Sequence, residues 1–187
     1  MMQDLEKYFK EHPIIASIRN DTDFKYALNS KVAALFILHG DIFNLPQIME
    51  ECKKYNKLLF LHMDLIRGIG RDREGIIYLA KKELCNGIVT TKSNLINIAK
   101  KEGLIAVQRL FLLDSAALKS GEQLLKNNQP NAVEILPGIA APYFIEHVYK
   151  KLLCPVIAGG LISDKDEIEK LFQKGVLAVS TSIKELW

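Results

Sequence analysis

The chain has 187 residues, of which 49% are hydrophobic and 25% charged, with a formal net charge of +3. Those are the proportions of one globular domain, large enough to bury roughly 70% of its unfolded surface without a disulfide or metal staple. The basicity is too weak to mark a nucleic-acid binder by itself, and no apolar run approaches the roughly 20 residues of a membrane span.

In chain order, the segment DLEKYFKE reads as a leading helix. Short apolar, β-branched runs then alternate with amphipathic stretches. The apolar runs occupy residues 13–18, 33–38, 58–63, 87–90, 105–109, 132–136, 156–158 and 176–180. They are too short for buried helices and read as strands with apolar residues on both faces, which belong to a sheet covered by helices. Between them, Asn44 is positioned to cap a helix with Pro46 in its first turn. Ser93 is positioned to cap a helix that Gly103 stops, and Ser163 or Asp164 to cap DKDEIEKLFQKG, with Gly175 just past its end. The helix near 23–29 must be brief, and nothing remains for a helix after the last strand.

Eight strands in βα alternation predict an α/β fold, a small TIM-like (β/α) barrel of parallel strands with short or missing terminal helices, in one domain over residues 1–187. An open doubly wound sheet is the alternative, but it usually begins with a glycine-rich first βα turn. Here that turn is Arg19-Asn20-Asp21-Thr22. The three cysteines, Cys52, Cys85 and Cys154, are far apart and form no C-x-x-C pair; their odd number suits a reducing compartment, so a cytoplasmic location is expected, and Cys85 and Cys154, in apolar stretches, read as buried thiols. The N-terminal segment MMQDLEKYFKEH lacks the apolar core of a signal peptide.

In such a barrel the working face is formed by the C-terminal ends of the strands, and phosphate sites use the loops after strands seven and eight. Gly159-Gly160 ends the seventh run and Ser180-Thr181-Ser182 the eighth. Glycine lets an anion approach the backbone N–H groups, and the hydroxyls add donors, so these five residues form the candidate phosphate site. A tight turn followed by a capping serine is the structural alternative. Arg19 follows the first strand directly and could clamp an anion or pair with a carboxylate. His62 and Asp64 alternate at the end of the third run as a candidate acid–base or metal pair, yet only Glu134 is a further acid at a strand end, so no metal or cofactor is expected. Asp64, Arg109 and Glu134 read instead as polar contacts of the mouth. The loop 65–73 carries Arg67, Arg71 and Arg73, a candidate lid or RNA contact. Paired lysines at 53–54, 81–82, 100–101 and 150–151 fall late in predicted helices, where cations suit the helix dipole.

The segments PIIASIRN, LHMDLIRGIGRD, GIVTTKS, AVQRLFLLD, VEILPGI, VIAGGLI and AVSTS, with Leu186-Trp187 after them, occur in an order similar to that of the glycerol uptake operon antiterminator regulatory proteins. The resemblance runs from Pro13 to Trp187. It implies a cytoplasmic barrel that binds glycerol 3-phosphate and the leader mRNA of glycerol-catabolic genes, so that transcription passes a terminator. It also implies a few residues past Trp187, which could contact RNA or a partner, and leaves a homodimer open. Under it, the phosphate falls on Gly159, Gly160, Ser180, Thr181 and Ser182. The competing expectation is a barrel enzyme acting on a small phosphorylated metabolite, such as an isomerase, aldolase or phosphodiesterase, since barrels with this site are mostly enzymes.

Overall fold

The computed structural model describes residues 5–149 and 154–187. Eight parallel strands follow one another around a closed barrel, each hydrogen-bonded to the next and β8 to β1. The strands are β1 (Ile14–Ile18), β2 (Ala34–Ile37), β3 (Leu58–His62), β4 (Gly87–Thr90), β5 (Ile105–Phe111), β6 (Ala132–Leu136), β7 (Val156–Gly159) and β8 (Ala178–Thr181). Helix α1 (Leu5–Glu11) precedes the barrel. Outside it lie α2 (Asp21–Leu28), α3 (Leu45–Lys54), α4 (Arg73–Lys81), α5 (Ser93–Lys101), α6 (Ser115–Asn128), α7 (Ala141–Phe144), continued by a π turn over Ile145–Tyr149, and α8 (Lys165–Gln173). After β8, the described chain makes a 3₁₀ turn over Lys184–Leu186. The lysine pair at 150–151 lies outside the described residues.

The helix boundaries follow local chemistry. Asn20, Asp72, Asp114 and Asp164 each accept a hydrogen bond from a backbone N–H of the helix they open, satisfying one of its orphan donors. Ser163 adds to the last of these, because its N–H and hydroxyl both donate to Glu167. Two expected caps differ. Asn44 does precede α3, but its side-chain oxygen accepts from the Asp41 N–H, bracing the loop rather than the helix. Lys92, not Ser93, is the residue before α5, and its N–H is taken by the Thr90 hydroxyl.

The barrel interior is built in two layers. Side chains two apart on a strand share a face. The lower layer is apolar: Ile15, Phe36, Phe60, Val89, Val107, Ala132, Ile157 and Ala178 form one buried cluster, with Leu5 and Phe9 of α1 packed on it. Phe36 and Phe60 meet edge to face at 5.4 Å, and the Tyr8 hydroxyl ties α1 to the Ala33 carbonyl at 2.7 Å. Helix α1 therefore plugs the N-terminal end. One step of two residues further along the strands, the interior changes character, and that layer positions the site.

Candidate functional site

Above Ile15, Phe60, Val107, Ala132, Ile157 and Ala178 stand Ser17, His62, Arg109, Glu134, Gly159 and Ser180. The strand register brings the key members together: Arg109 lies opposite Glu134 between β5 and β6, and Gly159 opposite Ser180 between β7 and β8. The Arg109 Nε donates to Glu134 Oε2 at 2.6 Å, and the Ser180 hydroxyl donates to Glu134 Oε1 at 2.5 Å. Glu134 is fully buried, so its charge is compensated by a guanidinium and a hydroxyl rather than by water.

Gly159 makes that arrangement possible. A Cβ there would stand 2.6 Å from Ser180 Oγ and 2.8 Å from Glu134 Oε1. The glycine thus clears the path between two side chains that reach across β7, which is a different use from the anion cradle its position suggests. Gly160 has φ +73°, a left-handed conformation, and its carbonyl accepts from the Gly138 N–H. Leu161 follows it with φ +55° and is 83% exposed, an unusual setting for a bulky apolar residue.

A cavity of about 130 Å³ opens above this layer, lined by Ser17, Arg19, Arg109, Glu134, Gly160, Ser180, Thr181 and Ser182, with Leu38, Leu136, Leu161 and Ile162 as its apolar wall. It is smaller than the roughly 300–1,000 Å³ of drug-sized pockets, so only a ligand of few atoms fits. Arg19 is exposed and makes no ion pair among the described residues, which leaves it the available cation of the cavity. Asp64 lies elsewhere. Its carboxylate accepts from the Thr91 N–H at 2.9 Å and the Thr91 hydroxyl at 3.1 Å, fastening the end of β3 to the end of β4.

His62 and Asp64 do not form a hydrogen-bonded pair, His62 Nδ1 lying 3.9 Å from Asp64 Oδ2. Burial, reinforced by the positive charge of Arg109, pushes the His62 pKa down to about 4, so the ring is neutral at ordinary pH. Its Nδ1 is buried without a hydrogen-bond partner. Among the described residues no group of three or more His, Cys, Asp or Glu is placed to hold a metal ion. Cys52, Cys85 and Cys154 are all buried, with burial pushing each thiol up to about 12, which leaves them unreactive.

The loop 65–73 is more ordered than a free lid. Asp41 and Arg67 form a parallel β-bridge: the Arg67 N–H donates to Gly40 and the Ile42 N–H to the Arg67 carbonyl. The Arg67 guanidinium lies 3.4 Å from the Asp41 carboxylate. Arg73 begins α4, and Arg71 is close enough to the mouth for its charge to act on His62. Sequence reasoning picked Arg19, Arg109, Glu134 and four of the five glycine and hydroxyl positions that line the cavity. It missed Ser17, whose signal was its place two residues before Arg19 on an otherwise apolar strand.

Fold and mouth together define a parallel (β/α)₈ barrel with a polar layer at the C-terminal ends of its strands, the end where proteins of this architecture hold their ligands. The chain belongs to the glycerol-3-phosphate responsive antiterminator family, whose model matches residues 14–187. The glycerol uptake operon antiterminator regulatory protein from Listeria monocytogenes is 34% identical, with a TM-score of 0.87 over 93% of this chain and 94% of that one. A glycerol uptake operon antiterminator-related protein from Thermotoga maritima is 32% identical, with a TM-score of 0.84 over 94% and 98%. The N-acetylmannosamine-6-phosphate 2-epimerase from Clostridium perfringens, at 16% identity and a TM-score of 0.68 over 97% and 90%, shares the fold alone. The chain is therefore a regulator of the antiterminator type rather than an enzyme.

Proposed function

We propose that the chain senses glycerol 3-phosphate at the barrel mouth in the cytoplasm and, when loaded, binds leader mRNA of glycerol-catabolic genes so that transcription passes a terminator. The observation that carries this reading is the cavity that joins Arg19 to Gly160, Ser180, Thr181 and Ser182 in a chain of this family. The phosphate would sit on the backbone of Gly160 and on the Thr181 and Ser182 hydroxyls, with Arg19 as its counter-charge, while Gly159 and Ser180 shape the floor around Glu134. Arg109 and Glu134, fixed by each other and by Ser180, would meet the glycerol hydroxyls. Asp64 would hold the β3 and β4 ends in place around them. Arg67 and Arg71 on the loop above, and Arg73 at the start of α4, would close over the loaded site.

A ligand can shift a conformational equilibrium only by its differential affinity for the two states. The reading accordingly predicts tighter leader-RNA binding in the presence of glycerol 3-phosphate than in its absence. Filter retention of a labelled leader transcript, titrated with protein at both ligand conditions, measures this. Equal affinity at saturating and zero ligand would overturn the switch.

A further inference from the structure

We infer that the RNA-binding surface of this regulator is the side groove around Trp187 and Tyr26, and that Thr181 connects it to the ligand cavity. The inference rests on the RNA half of the reading above and gives it a location.

The groove runs down the outside of the barrel between α2, the start of α8 and the 3₁₀ turn that follows β8. A hollow of about 600 Å³ lies there, lined by Tyr26, Asn29, Lys31, Lys165 and Trp187 among others. A second, of about 380 Å³, adjoins it and shares Lys31, Leu186 and Trp187. Lys165 opens α8 at the mouth end, and Lys31 follows α2 at the opposite end. The groove therefore spans the length of α2, about 12 Å for eight residues.

Its chemistry suits an unstacked nucleic-acid strand. Tyr26 is 51% exposed, and its ring lies 6.0 Å from that of Trp187 at 57°. Two tilted ring faces in an open groove offer stacking surfaces to bases, which is how single strands are held without sequence readout. Lys31 and Lys165 are exposed, and neither makes an ion pair among the described residues, so both are available to phosphates. Lys184 differs: it pairs with Asp23 at 2.6 Å and lies 5.9 Å from the Tyr26 ring, holding that ring in place. Glu185 is the single acid lining the larger hollow. A groove with free cations at both ends and aromatic rings between them matches a polyanion with flat bases better than an apolar protein segment.

The link to the ligand is short. Thr181 lines the mouth cavity, its carbonyl accepts the Trp187 indole N–H at 2.9 Å, and its hydroxyl accepts the Ile183 N–H at 3.2 Å. Any adjustment of the β8 end to a bound phosphate therefore reaches the Trp187 ring through one residue. Trp187 is the chain's single tryptophan, so with ligand and no RNA present its emission reports on that ring.

The test compares the full chain with Tyr26→Ala and with the double substitution Lys31→Gln/Lys165→Gln, none of which touches the ligand cavity. Each is titrated with labelled leader RNA at saturating glycerol 3-phosphate, and ligand binding is followed separately by thermal shift and Trp187 emission. Loss of one stacking ring is expected to weaken RNA binding roughly 5- to 100-fold. The double lysine variant is expected to reduce the salt dependence of binding by about two counterions. Both variants keep the wild-type response to glycerol 3-phosphate. If the wild-type chain binds RNA and the variants bind it equally well, the groove is not the surface. If the wild-type chain binds ligand but no RNA, the RNA reading falls, and this inference with it. If Trp187 emission is unchanged at a ligand concentration that raises the melting temperature, the Thr181 connection is wrong.

Discussion

Arg109 and Arg67 carry the same charge at the same end of the barrel in opposite settings. The Arg109 side chain is 10% exposed and its Nε is 2.6 Å from a fully buried carboxylate, which a serine also engages. The Arg67 side chain is 79% exposed and donates to Asp41 at 3.4 Å on the surface. A buried pair gains from low dielectric but becomes costly when one partner is removed; an exposed pair is screened by water and contributes little. The interior of the mouth is thus a fixed charge pattern, whereas the side-chain ion pair of the loop above, which its backbone bridge to residues 40–42 holds in place, adds little.

The contrast can be broken most forcefully at Glu134. Replacing it with alanine strands the Arg109 guanidinium in the interior, and a loss of about 3–5 kcal/mol is expected in urea unfolding. The same measurement on Glu134→Gln keeps the volume and isolates the charge.

A second expected effect concerns pH. The folded-state pKa of His62 is depressed to about 4, below the ordinary value of 6.5. Between these values the unfolded chain binds the proton and the folded chain does not. The contribution is therefore complete above about pH 6.5 and is lost as pH falls toward 4, by up to about 3 kcal/mol. Unfolding curves across that range should show the slope, and His62→Phe should flatten it. A slope that survives the substitution would place its origin in other groups.

Gly159→Ala tests the clearance between Glu134 and Ser180. With a Cβ 2.6 Å from the serine oxygen, strain of about 1–3 kcal/mol is expected, together with loss of the ligand-induced thermal shift. Retention of the full shift would show that the Glu134–Ser180 contact is not needed for binding. The smallest effect belongs to the rim: Arg67→Gln and Arg73→Gln should each change stability by no more than about 0.5 kcal/mol. A larger change in either would erase the distinction between rim and interior.

How far the sequence disclosed this architecture differs from element to element. Strands β4 and β6 coincide with the apolar runs at 87–90 and 132–136, because turn residues bound those runs on both sides. Strand β5 continues to Phe111, two residues past expectation, since Leu110 and Phe111 pair with Ile135 and Leu136 on β6. Strand β8 begins at Ala178 rather than at 176, because the Val176 N–H turns back to Leu171 at the end of α8. The brief helix expected near 23–29 is α2, eight residues long.

At the site, Arg109, Glu134 and the β8 hydroxyls were visible as polar residues at the ends of apolar strands. The bond between Glu134 and Ser180 was not: they are 46 positions apart and meet only because barrel closure sets β7 between them with a glycine at the crossing. The Trp187–Tyr26 groove was hidden for the same reason, since it joins the two ends of the described barrel.

The mouth is expected to recognise the whole of glycerol 3-phosphate, phosphate and glycerol together. Thermal unfolding of the intact chain with glycerol 3-phosphate, with glycerol and with inorganic phosphate at matched concentrations tests it most directly, because stabilisation follows the free-ligand concentration over its dissociation constant. The melting temperature should rise with the concentration of glycerol 3-phosphate, rise less with phosphate and stay unchanged with glycerol; equal shifts with glycerol 3-phosphate and phosphate, or no shift with either, would show that the mouth does not read the whole ligand.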